Sequence, residues 1–360
     1  MTTYTTYTMP SISVVIPVYN AGQFVKRTIN SVLSQSYKPS EIIVIDDGST
    51  DNTASLVKAC GDSIRYIYQS NRGESCARNT GIHNAQGTWI AFLDHDDEWL
   101  HHHLMNAVHI INSAHVIKWY GAAFNVFVHK TSEPLTIYKK RRYLERFIDN
   151  LYFDDYLSVS HKQAIFTTST MVIHKSVFDT VGMFNESLKV GSDLDMWFRV
   201  GLHFPQIGYC HRIAAHAYKQ STPRHRSHFP LSLILQQLKE QETFAKRLSE
   251  NARRRAQPWI TARITQLIKS RIALGDRSAV ERILNVYGTR LPSKWRGLAH
   301  FFLNFSWPFI LLFSVRALTS RKHLAFRKYG LWRGALHNRS NEGASGGPSG
   351  KKEAQHQETR

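Results

Sequence analysis

Four carboxylates crowd into five residues at Asp94-His95-Asp96-Asp97-Glu98, directly after the apolar run 88–93. Anions this close repel one another unless a cation or hydrogen-bond donors offset the repulsion. A hard divalent ion suits such a group. Mg²⁺ and Mn²⁺ take one or two protein carboxylates and fill their remaining positions with phosphate oxygens and water. A helix N-terminus also favours acids through its macrodipole. That accounts for Asp97 and Glu98 but leaves Asp94 and Asp96 without a reason.

A second acidic pair, Asp46-Asp47, closes the run 41–45 and leads into Gly48-Ser49-Thr50-Asp51. Carboxylates accept hydrogen bonds from the N–H or O–H groups of a base or ribose, although the same stretch is good turn and helix-capping chemistry. Arg72 and Arg78 flank a helix start, where backbone N–H groups and a guanidinium could both face a diphosphate; read locally, they are two solvated arginines on a surface helix. The run His101-His102-His103 is not a metal site, because consecutive helical residues point in different directions. These three are expected at the surface, where a helix follows the acidic loop. His211, His216, His225 and His228 are weak candidates for an extra metal ligand.

The elements that must position these groups alternate regularly. β-branched runs at 12–18, 41–45, 64–68 and 88–93 are separated by stretches with helical spacing at about 22–35, 51–60 and 74–85, the first carrying Phe24, Ile29, Val32 and Leu33. Such a β-α series forms a parallel sheet flanked by helices, with ligands bound at the carboxyl ends of its strands. Aromatic runs at 119–128 and 162–174 suggest added strands in an acceptor-facing half. Helices are expected at 231–248 and 260–274.

The formal net charge of +19 is that of a nucleic-acid binder, but its distribution is not. Residues 223–337 hold 22 Lys and Arg against 5 Asp and Glu, an excess of 17, so the first 222 residues are close to neutral. An apolar fraction of 42% with 20% charged residues fits a globular chain rather than a disordered one. Three widely spaced cysteines, Cys60, Cys76 and Cys210, suit a reducing compartment. The N-terminal residues lack the basic and apolar regions of a signal peptide, and the expected location is cytoplasmic. Residues 298–318 are long enough to span a bilayer, which needs ~20 residues, but carry His300, Asn304, Ser306, Pro308 and Arg316. With Trp295, Trp307 and flanking basic residues, the segment suits the interface of an anionic leaflet, or else packs on the domain. The expected organisation is a tail at 1–10, a catalytic domain at 11–222 with halves 11–100 and 101–222, a basic helical extension at 223–337 and a disordered tail at 338–360.

Four segments in order carry a specific resemblance: Ser-Val-Val-Ile-Pro-Val-Tyr-Asn (13–20), Ile-Asp-Asp-Gly-Ser-Thr-Asp-Asn-Thr (45–53), Asn-x-Gly-x-x-x-Ala-Arg-Asn-x-Gly (71–81) and Phe-Leu-Asp-x-Asp-Asp (92–97). Residues 11–100 resemble the family 2 glycosyltransferases of the GT-A fold, with a Rossmann-like, mainly parallel sheet between helices. The resemblance implies a donor site at Pro17, Tyr19, Asn20, Asp46, Asp47, Arg78, Asp94 and Asp96. In it Asp47 contacts the base, Arg78 lies near the nucleotide, and Asp94 and Asp96 form a D-x-D motif for Mg²⁺ or Mn²⁺ and the donor diphosphate. Asp97 is implied as a further metal contact. Farther on, Gly191-Ser192-Asp193-Leu194-Asp195-Met196-Trp197 is similar to the family's Glu-Asp segment that carries the base, with Ser192 in place of Glu. Asp193 is thereby implied as the general base and Ser192 is expected to cap its helix.

On that resemblance the reaction is an inverting transfer of a sugar from a nucleotide sugar, UDP-linked by preference, to a carbohydrate or lipid-linked acceptor hydroxyl. Surface polysaccharide or lipopolysaccharide assembly at the inner face of the membrane is the implied setting, with no nucleic-acid partner. A nucleotidyltransferase would want a Gly-rich, Lys- or Arg-containing loop after the first strand, which 18–24 lacks. A nucleic-acid-binding protein is the non-enzymatic alternative.

Overall fold

The computed structural model describes residues 9–128, 151–161, 165–188, 190–219 and 230–304. β1 (Ile12–Val18), α1 (Val25–Leu33), β2 (Glu41–Asp47), α2 (Thr53–Lys58), β3 (Ile64–Gln69), α3 (Glu74–Asn84) and β4 (Trp89–Phe92) alternate as the sequence predicts. All seven residues of β1 are buried, which explains why the run reads as continuously apolar rather than alternating. In α1, Val25, Thr28, Ile29, Ser31 and Val32 form the buried face, the spacing that turns one side of a helix to a sheet. α3 approaches β1 so closely that a Cβ at Gly81 would lie 2.3 Å from Cγ1 of Val15.

The chain continues through β5 (Glu98–Trp99), α4 (His103–Ser113), β6 (Trp119–Val128), β7 (Tyr152–Phe153), α5 (Tyr156–Ser160), a 3-10 turn (Thr168–Thr170), β8 (Val172–His174), α6 (Ser176–Val181), α7 (Ser192–His203) and β9 (Ile207–Lys219). Nine strands form one mixed sheet in the order β3-β2-β1-β4-β8-β6-β9-β5, with β7 paired to β9. The pairs β1–β2, β1–β4 and β2–β3 are parallel. Across β4 the ladder turns antiparallel, onto β8. The carboxyl end of β4 therefore lies between the parallel half and the added strands, and the acidic loop leaves from there.

Two local expectations are corrected. Helix α4 does not begin at the acidic loop, because β5 intervenes; Glu98 pairs opposite His216 in the sheet rather than charging a helix start. His103 is not at the surface. It is fully buried, with ring centroids 4.6 Å from Trp99 and 6.0 Å from Tyr120, because the inward face of α4 begins with it. Burial there pushes the imidazole pKa down to about 3, so it stays neutral at ordinary pH.

Four helices follow: α8 (Leu231–Arg247), α9 (Glu250–Ala273), α10 (Arg277–Tyr287) and α11 (Ser293–Asn304). Helix α9 starts well before the predicted residue 260 and runs through Pro258, because the Ser249 side chain accepts from the Ala252 N–H and caps an earlier turn. Residues through Gly297 belong to one compact unit. Within it, Arg255 Nη2 donates to the Leu202 carbonyl at 2.5 Å and Arg255 pairs with Asp155 at 3.3 Å. Phe198 and Trp259 rings meet at 4.7 Å. A second unit begins at Leu298. Of the segment 298–318 only 298–304 is described, as the end of α11, and the tail 338–360 lies outside the described residues, as do positions 1–8 of the N-terminal tail. No described helix is long and apolar enough to cross a membrane.

Candidate functional site

The acidic loop is held by side chains from α1. Thr28 Oγ1 lies 2.7 Å from the His95 carbonyl and 2.8 Å from that of Asp97, and Arg27 Nη2 donates to the Asp96 carbonyl at 2.6 Å. The Arg27 guanidinium in turn lies 4.0 Å from the centre of the Tyr218 ring. Beyond the loop, Ser31 Oγ accepts the Trp99 N–H at 3.1 Å and Gln35 Nε2 donates to the Leu100 carbonyl at 2.9 Å. These anchors grip backbone atoms and leave the carboxylates of Asp94 and Asp96 partly exposed.

Asp97 behaves differently. It is buried, its Oδ2 accepts the Ser169 hydroxyl at 2.5 Å and its Oδ1 accepts the Tyr218 N–H at 3.0 Å. Burial raises its pKa well above the usual carboxylate value; the charges of Asp94 and Asp96 add to this, and the two hydrogen bonds only partly oppose it. Both oxygens thus serve the fold, so Asp97 ties the loop to the 3-10 turn and to β9. Asp97→Ala leaves the buried Ser169 hydroxyl and the half-buried Tyr218 N–H without their acceptor and is expected to cost about 3 kcal/mol, read as a lowered urea midpoint with an unchanged m-value.

Asp94 faces the other way. Its Oδ1 accepts from Arg78 Nη2 at 2.8 Å. Arg78 also pairs with Glu74 one turn earlier on α3, and its side chain is 2% exposed, so it is not the solvated surface arginine of the local reading. Burial alone would lower the guanidinium pKa; the carboxylates of Glu74, Asp94 and, farther off, Asp193 outweigh it and raise it. Asp193 occupies the first turn of α7, is partly exposed, and is close enough for its charge to act on both Glu74 and Arg78. Arg78 and Asp94 thus meet just past the carboxyl end of β4, and Asp193 opens α7. Ser192 is not the cap of α7: the N-cap is Gly191 at φ +72°, with no side-chain cap hydrogen bond.

The second acidic pair is engaged by the protein itself. Asp46 has no exposed surface; its carboxylate accepts the Ser49 N–H at 2.8 Å and the Tyr66 hydroxyl at 2.6 Å. Asp47 accepts from Gln69 Nε2 at 2.7 Å, from the Arg72 N–H at 2.9 Å and from the Gly73 N–H at 2.7 Å. It thereby shapes the β3–α3 loop. Pro17 is buried in β1, whereas Tyr19 and Asn20 are exposed just past it. Asn20, at φ +47°, ties this turn to the next: its N–H donates to Ser49 Oγ and its Oδ1 accepts from the Thr50 N–H, each at 2.9 Å. Arg72 pairs with Glu186 at 3.0 Å. Asn79 locks the two halves together, exchanging hydrogen bonds with the Phe184 backbone at 2.9 Å in both directions.

Ser169, Thr28, Arg27 and Tyr218 were not singled out by sequence reasoning. A threonine on the inward face of α1 points to Thr28, and four consecutive hydroxyl residues, Thr167 to Thr170, inside the run 162–174 point to Ser169; no local signal marks Arg27 or Tyr218. Of the candidate histidines, His211 is exposed, His216 sits opposite Glu98 with its ring against Phe127, and His225 and His228 lie outside the described residues. Among the described residues no group of three or more His, Cys, Asp or Glu side chains is gathered as a metal cluster. The donor set that does fit a hard ion is the partly exposed pair Asp94 and Asp96, two carboxylates that leave most of the shell to other oxygens.

Residues 13–182 match the family model Glycosyl transferase family 2. An uncharacterized glycosyltransferase of Rickettsia prowazekii is 33% identical over 193 residues, 53% of this chain and 58% of that protein. The uncharacterized glycosyltransferase YibD of Escherichia coli is 43% identical over 90 residues, 24% of this chain and 26% of its own length. The chain thus spans little more than half, or less, of the curated relatives it matches. The structure of S. aureus TarS residues 1–349 in complex with UDP-GlcNAc superposes with a TM-score of 0.64 at 16% identity, covering 88% of this chain and 92% of that one. The shared architecture is the GT-A type, a sheet flanked by helices with further helices at the C-terminal side. Residues 13–182, a little under half of the chain, are thus similar to glycosyl transferase family 2.

Proposed function

We propose that the protein transfers a glycosyl group, with inversion, from a nucleotide diphosphate sugar to an acceptor hydroxyl. The observation that carries this reading is the convergence of partly exposed Asp94 and Asp96, the buried Arg78 behind them and Asp193 at the start of α7. A UDP-sugar is the preferred donor, in keeping with the UDP-GlcNAc bound by TarS. Asp94 and Asp96 would hold the Mg²⁺ or Mn²⁺ ion. Once bound, such an ion supplies positive charge where the leaving diphosphate gains negative charge.

Asp193 takes the proton from the acceptor hydroxyl as that oxygen attacks the anomeric carbon, and the bond to the diphosphate oxygen breaks on the opposite face. Arg78 holds the Asp94 carboxylate in place through its hydrogen bond. Tyr19 and Asn20 form one wall of the donor cleft, and Asp47 holds the loop that forms the other. The acceptor is a carbohydrate or lipid-linked sugar of surface polysaccharide or lipopolysaccharide assembly. The basic C-terminal helices suit contact with an anionic leaflet at the cytoplasmic face.

The test is thermal stabilisation by UDP-, GDP- and dTDP-sugars, with and without Mg²⁺ or Mn²⁺. A UDP-sugar at about 100 times its Kd is expected to raise Tm by about 5 °C or more only when metal is present. Asp96→Ala is expected to lose the metal-dependent part. Absence of any stabilisation of the wild type overturns the donor site.

A further inference from the structure

We propose that Gln237, on helix α8, is a positioning residue for the transfer reaction: it fixes the backbone at the start of α7 and thereby the direction of Asp193. The inference rests on the reading of Asp193 as the base. Asp193 is the second residue of α7, so the cap residue Gly191 sets where its carboxylate points. Gly191 adopts φ +72°, a left-handed conformation, and no side chain of the cap itself stabilises it.

Its carbonyl receives two hydrogen bonds. One is the first helical bond, from the Asp195 N–H at 3.0 Å; the other is from Gln237 Nε2 at 2.8 Å. The approach is close, since a Cβ at Gly191 would lie 3.3 Å from that amide nitrogen. Gln237 is 5% exposed, and Gln241, one turn later on the same face of α8, is 2% exposed and lies beside Asp195. Burying an amide is costly unless it is paired. Gln237 is paired to a backbone atom two residues from the candidate base, although an apolar side chain would fill the same space.

Arg199 fastens α7 elsewhere. Its guanidinium donates to the Val181 and Met183 carbonyls at 2.5 and 2.9 Å and pairs with Asp195 at 2.9 Å. These bonds secure the body of the helix and the loop before it, but not the cap. Gln237 thus makes α8, outside the matched family segment 13–182, part of the arrangement that aims Asp193.

The test uses Gln237→Met, which keeps the bulk and removes the donor, with Gln237→Ala as a second variant and circular dichroism to verify folding. With the donor identified by stabilisation, kcat is expected to fall about three- to tenfold, the worth of one hydrogen bond, while the donor Kd is unchanged. In an Asp193→Ala background the same Gln237→Met change is expected to alter the residual rate less than about twofold, because it acts through Asp193. Wild-type kcat in the folded Gln237→Met protein overturns the inference, as does an equal loss with and without Asp193. A wild-type protein that transfers no sugar overturns the transferase reading itself, an outcome separable from an active wild type that tolerates Gln237→Met.

Discussion

Replacing Asp193 with Asn is expected to lower kcat about a thousandfold and to leave the donor Kd nearly unchanged. The Asn side chain keeps the shape of the first turn of α7 but cannot take a proton, and general base catalysis contributes about 10²- to 10⁴-fold. Asp193 touches the Arg78 cluster through its field and is not hydrogen-bonded to Arg78, whose Nη2 is given to Glu74 and Asp94. The donor side should therefore remain assembled. Steady-state rates, together with a donor titration followed by thermal shift, separate the two quantities. A kcat within tenfold of wild type would remove Asp193 from the role of base.

Asp94→Asn and Asp96→Asn both reduce transfer about a hundredfold or more, as expected when charge stabilisation of a leaving group is lost, yet they differ in stability. Asp94 is a partner of a guanidinium whose side chain is 2% exposed, so weakening its charge leaves Arg78 undercompensated. Removing one partner of a buried pair costs about 3–5 kcal/mol; with Glu74 still in place, about 2 kcal/mol is expected. Asp96 is partly exposed, and its replacement is expected to change stability by less than about 0.5 kcal/mol. Urea midpoints with unchanged m-values measure the difference. Equal midpoints for the two variants would mean that the Arg78–Asp94 contact contributes little.

The fold of the first half is largely legible in the sequence because its information is local. Buried parallel strands read as apolar runs, and α1 reads as a helical stripe. The sequence misleads at Glu98 and His103, and is silent on the partners of Asp97, where a distant segment decides. β5 is only two residues long and exists because β9 pairs with it, so Glu98 was read as belonging to a helix. His103 was read as a surface residue because nothing local shows that Trp99 and Tyr120 enclose it. Asp97 looks like Asp94 and Asp96 in sequence; Ser169 and the Tyr218 N–H, 72 and 121 residues away, distinguish it. Likewise, no pattern within 231–247 reveals that Gln237 reaches Gly191.

The hold of α1 on the acidic loop separates form from content. Arg27 and Thr28 on α1, and Gln35 just past its end, contact carbonyl oxygens at positions 95, 96, 97 and 100, atoms that every amino acid supplies alike. The chemistry displayed at 94–96 can therefore be rewritten without redesigning the chain path, provided Asp97 and α1 are kept. For an engineer, the loop is a socket: in the metal site proposed above, a softer side chain in place of Asp96 is expected to shift the ion preference from hard towards softer metals.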